Sequence, residues 1–335
     1  MRKLVLVFAF MLLSILVLNT SMLAADKIII YSSVDEANAK KILDAFSAQN
    51  GIEVDFVHLS SGPAMARITA EANNPQADVW LGAPSENHVV LKGEGLTVSY
   101  QSEAMENLAP SFKDPDGFWR CFYMNPIALA INTEALTKAG IAKPTSWEDL
   151  LKPEYEDLIQ MPTPQASGTA YTIMTTLITI FGEDEAFEYM KKLNPNIQTY
   201  TSSGTGPSKG VAVGQCAIGI QFTPAFFEFI EEGYPLEVIF PSEGVGFEAP
   251  AVSIIKGAKN LESAKILLDW LVSKDGQDVL SAEKTFFYPV NPEAELSEGM
   301  PAFSELKTIE VDSQWAGENK ERLVERWVNK VLTAK

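Results

Sequence analysis

Three short stretches carry side chains suited to holding a ligand: Ser60-Ser61-Gly62, Ser167-Gly168-Thr169 and Ser202-Ser203-Gly204. Each joins small hydroxyls to a glycine, and each lies between an apolar run that reads as a strand and a segment that reads as a helix. A hydroxyl there caps the helix, glycine lets a ligand approach the backbone, and the free N–H groups of the first turn carry partial positive charge. Such a junction can hold an anion without any charged side chain. A single copy is better explained by capping, whereas three copies of the same chemistry point to one shared polar cleft. Ser32, Ser33, Gly82 and Ala83 end two further strand-like runs, and Gln221 and Thr223 end another, so they join the candidates. Glu248 is the charged candidate. Beside an anion it would repel, so its binding role is to accept hydrogen bonds from hydroxyls or an amine at the ligand's far end; the alternative is an ordinary exposed glutamate.

Catalytic and metal chemistry find little support. His58 and His88 are the two histidines. His58 stands two residues before Ser60 on one strand, a poor arrangement for a nucleophile and its base, and no Gly-x-Ser-x-Gly elbow occurs. No His, Cys, Asp or Glu spacing matches a zinc site or a calcium loop. Neither a catalytic residue, a metal site nor a cofactor is expected. The acidic runs Glu183-Asp184-Glu185 and Glu231-Glu232 read as helix starts or solvated faces.

The elements that must position these residues follow an export signal. Arg2 and Lys3, an apolar core over 4–18 and Leu23-Ala24-Ala25 form a secretory signal peptide, with cleavage near Ala24 or Ala25 and a periplasmic destination. The remaining ~310 residues exceed what one compact core usually holds, so two lobes are expected. The net charge of −18 argues against nucleic acid as a partner. Cys121 and Cys216 read as two separate buried thiols, although export would permit a bridge.

Along the chain, strands at 27–31, 52–59 and 77–81 alternate with helices, one presenting Ala39, Ile42, Leu43 and Phe46 on a single face. This is a doubly wound start, in which ligands lie beyond the carboxyl ends of the strands. The run 122–132 reads as a strand interrupted by Pro126, where the chain passes between lobes. A second strand–helix series follows, and 251–255 returns to the first lobe. The expected division is a signal peptide at 1–25, a discontinuous first lobe of 26–125 plus 250–335, and a second lobe of 126–249, joined by two crossings near Asn125-Pro126 and Glu248-Ala249.

Ala77-Asp78-Val79-Trp80, Thr145-Ser146-Trp147-Glu148-Asp149-Leu150 with Pro153-Glu154-Tyr155, Ser167-Gly168-Thr169-Ala170, and Ile254-Ile255-Lys256-Gly257-Ala258-Lys259-Asn260 resemble solute-binding proteins of ABC importers. The resemblance spans about residues 27–284. Its branch is that of ferric-iron-binding proteins, which also holds binders of hexose phosphates and phosphonates. It implies an α/β, two-lobe periplasmic-binding-protein-like fold of type II, with two doubly wound domains closing about a hinge. It also implies a monomeric receptor that hands its solute to a membrane permease. In the ferric branch, paired tyrosines follow the strand matching 216–222 and a histidine lies in the first lobe. Here those places read Thr223-Pro224-Ala225-Phe226-Phe227 and Ser32-Ser33, without the hydroxyl ligands a hard ferric ion needs. The His-Asp pair of the sugar-phosphate members is likewise replaced by Thr223-Pro224. The expected function is capture of a small anionic solute, phosphorylated or phosphonate-like. The alternatives are a ferric receptor using a synergistic anion and, distantly, a secreted hydrolase.

Overall fold

The computed structural model describes residues 27–334; the expected signal peptide, with its cleavage site, lies outside them. In chain order the strands are β1 (Lys27–Ser32), β2 (Glu53–His58), β3 (Val79–Pro84), β4 (Thr97–Val98), β5 (Arg120–Cys121), β6 (Tyr123–Asn132) and β7 (Ile159–Pro162). They continue with β8 (Ile197–Thr201), β9 (Ile218–Phe222), β10 (Leu236–Ile239), β11 (Val245–Glu248), β12 (Pro250–Ile255), β13 (Tyr288–Pro289) and β14 (Thr308–Ile309). They form two sheets, one per lobe.

The first sheet runs β2-β1-β3-β12-β4, with β5 also on β12. β1 pairs in parallel with β2 and β3, and the returning β12 runs antiparallel to β3. The helix Glu36–Asn50 follows β1 because Asp35 caps it, accepting from Asn38 N, and Gly51 ends it in the left-handed region at φ 67°. It buries Ala39, Ile42, Leu43 and Phe46, the face read from the sequence. Removing a side chain such as Phe46 from water is worth about 2–3 kcal/mol.

The second sheet runs β14-β11-β6-β9-β7-β8, with β10 and β13 also on β6. Pro126 does not interrupt β6, contrary to the expectation. It pairs with Phe247 of β11, while β10 takes over farther along the same strand from Leu129. The missing N–H falls where one neighbour gives way to the next, so no ladder bond is lost.

Between the lobes the chain crosses at Phe122 and at Ala249. Phe122 N donates to Pro250 O at 3.1 Å, tying the crossings side by side. A third crossing was not anticipated: after the helix Lys274–Ala282 the chain enters the second sheet through β13 and β14. The C-terminal helix Ser313–Lys330 then buries Leu323 and Trp327 among second-lobe residues such as Ile173, Leu193 and Ile197. The expected division had placed this helix with the first lobe. Its apolar stripe shows that it is buried against something, but not against which sheet.

Cys121 and Cys216 are both buried and unbridged. Burial pushes the Cys216 thiol up to about 12 and lifts Cys121 well above its ordinary value. Neither forms the reactive thiolate near neutrality. A thiol-titrating disulfide reagent is therefore expected to find no accessible thiol in the native protein and two after denaturation. Rapid labelling of the native protein would contradict the burial.

Candidate functional site

In the first lobe the carboxyl ends of β1, β2 and β3 converge. Leu59 N donates to Ser32 O at 2.8 Å and Ser33 N donates to Leu81 O at 2.7 Å, so the three turns form one surface. Gly82 is required there: its φ is +86°, and a Cβ would come within 2.7 Å of Val34 N. Ala83 follows at φ 67°, a conformation uncommon for a residue with a side chain. Buried His88 holds this turn, with Nε2 at 2.7 Å from Gly82 O and Nδ1 at 2.7 Å from Ser253 Oγ. The carbonyl requires Nε2 to donate, which leaves Nδ1 accepting from the serine hydroxyl. Burial lowers the His88 pKa to about 4, so the ring is neutral at ordinary pH.

The first-lobe candidates are not equivalent. Ser32 is fully buried and its hydroxyl turns back toward Val34 O at 3.5 Å. Ser33 Oγ accepts from Trp80 Nε1 at 3.0 Å, and Trp80 is core, stacked on His88 at 4.3 Å. Both serines therefore brace the turn. Ser60 and Gly62 are exposed and Ser61 is half-buried, and Ser60 begins the helix Ser61–Ala70 without a side-chain cap bond. His58 Nδ1 lies 2.9 Å from Val34 O and meets no serine.

In the second lobe two candidate turns meet. Ser167 caps the helix Gly168–Phe181, accepting from Ala170 N at 3.4 Å. Gly204, on the turn after β8, packs so closely that a Cβ would stand 2.4 Å from Thr169 Oγ1 and 3.1 Å from Ser167 Oγ. Ser167, Thr169 and Gly204 thus form one hydroxyl-rich cluster at the N-terminus of a 14-residue helix. Gly168 beside them is exposed, and a Cβ there would meet nothing within 4 Å. Ser202 and Ser203 are exposed, with Ser203 Oγ 3.1 Å from Thr205 Oγ1. Gln221 is not available to a ligand as expected: only 1% exposed, its Oε1 accepts from Ser208 N at 2.9 Å and its Nε2 donates to Phe222 O at 3.3 Å. Thr223 is fully buried, and its hydroxyl has no hydrogen-bond partner.

A cavity of about 110 Å³ lies between the lobes. Its walls include Ser85 and Glu86 from the first lobe, Tyr171, Thr172 and Thr175 from the second, and Phe247 and Glu248 from the hinge. Gly168, Tyr171, Thr172 and Thr175 share one helical face by their spacing, so the wall continues toward the Ser167 cluster. Tyr171 OH donates to Ala316 O of the C-terminal helix, which closes the far side. Glu248 accepts from Asn125 Nδ2 at 3.1 Å across β11 and β6. Its carboxyl faces the cavity deep between the lobes, and burial pushes its pKa to about 7, with Asn125 opposing and the Glu86 charge adding to the rise. Burial likewise raises Glu86, against its own backbone N–H and Lys320. The chamber is rich in acceptors and suits the hydroxyl or amine end of a ligand better than its anion.

The tyrosine, the threonines and Glu86 were missed in the sequence. Their spacing after Gly168 was visible, but their apolar neighbours on the same helix read as core. Among the described residues no group of three or more His, Cys, Asp or Glu side chains is placed to hold a metal ion, and no helix is long and apolar enough to cross a membrane.

Two mixed α/β lobes joined by three crossings define the two-lobe architecture of type II periplasmic binding proteins. The chain belongs to the family of bacterial extracellular solute-binding proteins, whose profile matches residues 74–313. A Haemophilus influenzae protein is 34% identical over 320 residues, covering 93% of this chain and 92% of its own. The periplasmic binding protein AfuA from Actinobacillus pleuropneumoniae, solved with exogenous fructose-6-phosphate bound, superposes with a TM-score of 0.81 at 36% identity. That match covers 92% of this chain and 99% of AfuA. A putative 2-aminoethylphosphonate-binding periplasmic protein of Salmonella paratyphi A is 26% identical, covering 78% of this chain and 73% of its own. The protein is therefore a periplasmic solute-binding component of an ABC importer and not an enzyme.

Proposed function

We propose that this protein captures a small phosphorylated or phosphonate-like compound between its lobes and delivers it to its permease. The anion sits at the Ser167–Thr169–Gly204 cluster, and the hydroxyl or amine end points toward Glu248. The close approach of two Ser/Gly turns at a long helix's N-terminus carries this reading, since such a site binds an oxyanion through N–H groups and hydroxyls. The fructose-6-phosphate in AfuA and the phosphonate named for the Salmonella relative support the class. A ligand touching both lobes favours the closed form through contacts that the open form lacks.

Titration calorimetry with inorganic phosphate, 2-aminoethylphosphonate and fructose 6-phosphate tests the reading. At least one is expected to bind and to compact the protein in small-angle scattering. Ser167→Ala is expected to weaken that binding by roughly ten- to a hundredfold, the value of a hydrogen bond to a charged group. Unaltered isotherms in the variant would remove the anion from this cluster. A visible charge-transfer band on ferric loading, lost on mutating a cleft tyrosine, would replace it with iron.

A further inference from the structure

The C-terminal helix Ser313–Lys330 is packed on the second lobe but reaches beyond it. Its later turns are clamped in place. Arg322 donates to Glu183 through both guanidinium arms, Nη1 to Oε1 at 2.6 Å and Nη2 to Oε2 at 2.9 Å. Arg326 donates to Glu183 Oε1 and Asp184 Oδ1, both at 2.5 Å, and Val331 O accepts from buried Asn194 Nδ2 at 3.0 Å. A forked Arg–carboxylate pair fixes direction as well as position, so the helix is anchored on this lobe.

Its earlier turns meet the other lobe. Ala316, Lys320, Leu323 and Trp327 follow helical i, i+3 and i, i+4 spacing and share one face. Leu323 and Trp327 are buried in the second lobe, whereas Ala316 borders the interlobe cavity. Lys320 Nζ stands 5.5 Å from the centre of the Tyr171 ring, itself a wall of that cavity. The helix also packs against Ser85–Gly93 of the first lobe. Glu86, in the first turn of that helix, borders the same cavity, and the Lys320 charge favours its ionised form against the effect of burial.

Other side-chain pairs also join the lobes: Glu228 with Asn38 at 3.4 Å and Glu231 with Lys284, both from the helix Pro224–Glu231. Lys284 lies in the third crossing itself, where the chain is continuous whether the lobes open or close. The C-terminal helix has no such tether to the first lobe, and its hold there depends on packing and charge. An element fixed to one lobe that rests on the other favours the form in which both contacts exist.

We propose that the C-terminal helix is a strap between the lobes and that Lys320 is its positioning residue, holding Glu86 of the first lobe so that the empty cleft stays partly closed. Lys320 is exposed, so the attraction is screened and modest. Its effect is nevertheless general. A solute meeting a cleft already inclined to close has less of the equilibrium to shift, which raises the apparent affinity for any solute by the same factor. The inference does not depend on which solute the cleft takes.

The test is the interlobe distance in the ligand-free protein, from paired spin labels on the two lobes and from small-angle scattering. The variants are Lys320→Met, Lys320→Arg, Lys320→Glu, Glu86→Lys and the double exchange of Glu86→Lys with Lys320→Glu. Lys320→Glu is expected to raise the ratio of open to closed molecules by roughly three- to tenfold, Lys320→Met by less, with Lys320→Arg near wild type. The double exchange is expected to return the ratio toward wild type, which a merely structural role for either residue would not produce. The effect of Lys320→Glu is also expected to shrink at about 1 M salt. An unaltered distance distribution in folded Lys320→Glu overturns the strap. Opening that the double exchange does not reverse, or that salt leaves undiminished, overturns the role of Lys320. Weaker binding of inorganic phosphate by Lys320→Met, with no change in the ligand-free distance, overturns the strap and makes Lys320 a contact of the anion.

Discussion

Gly204→Val is expected to reduce binding of phosphate-type probes by at least about a hundredfold while the protein still unfolds cooperatively. The glycine is needed here for close approach and not for backbone conformation, since its φ is not in the left-handed region. A Cβ would meet Thr169 Oγ1 at 2.4 Å, Ser167 Oγ at 3.1 Å and Thr169 Cβ at 3.2 Å. A methyl alone is accommodated when the Thr169 hydroxyl rotates away, so Gly204→Ala should lose that contact and little more. A branched side chain must also push the two turns apart, which removes both hydroxyls and misaims the N–H groups between them. Each hydrogen bond lost to a charged group costs about 1.5–3 kcal/mol, and two suffice for a hundredfold or more. Gly168→Ala is the contrasting variant: its Cβ meets nothing within 4 Å, so the fold has no reason to change. Calorimetry with inorganic phosphate and fructose 6-phosphate, beside a melting curve, decides the matter. Full affinity in Gly204→Val would show that the two turns do not act together.

The parts of this molecule that were legible beforehand are those written in local chemistry. β1 is a continuous apolar run, and the helix after it repeats its buried positions at helical spacing, so both could be read directly. The Ser/Gly turns stood out because the same hydroxyl and glycine chemistry recurs at three strand–helix junctions, although each alone serves equally to cap a helix. What escaped depends on partners distant in sequence. β13 and β14 are two residues each and show no periodicity, so the third crossing left no local trace. Gln221 and Ser32 are on the right turns but spend their polar atoms on the backbone around them. Asn38 and Asn125 look ordinary in the chain. Only the carboxylates that fix their amides, brought from the other lobe and the opposite hinge strand, reveal a free oxygen on each.

Glu248→Gln is expected to raise the melting temperature at pH 8 by several degrees and to leave it nearly unaltered at pH 4. Burial lifts the Glu248 carboxyl from 4.5 to about 7, Asn125 opposing and Glu86 contributing. A group whose pKa is higher in the folded state binds its proton more tightly there than in the unfolded chain. Its stabilising share is fully present below about 4.5 and is lost as the pH rises through about 7. Above that pH the hinge holds an ionised carboxylate in a half-buried setting, at a cost of at most about 3 kcal/mol. Glutamine keeps the shape and an oxygen for Asn125 Nδ2 while removing the charge, so the cost disappears at high pH. Glu86, whose pKa burial also raises, should be eased as well, because it faces the same cavity. The gain in stability should come with a loss in recognition: a hydroxyl bonds a carboxylate more strongly than an amide, so fructose 6-phosphate should bind less well while inorganic phosphate meets less repulsion. Melting curves from pH 4 to 8, run without ligand, isolate the first effect, and calorimetry of the two probes isolates the second. A stability difference that is constant with pH, or that grows toward pH 4, would mean that Glu248 is solvated and that the hinge carries no buried charge; such a residue would also leave the affinity for either probe unaltered.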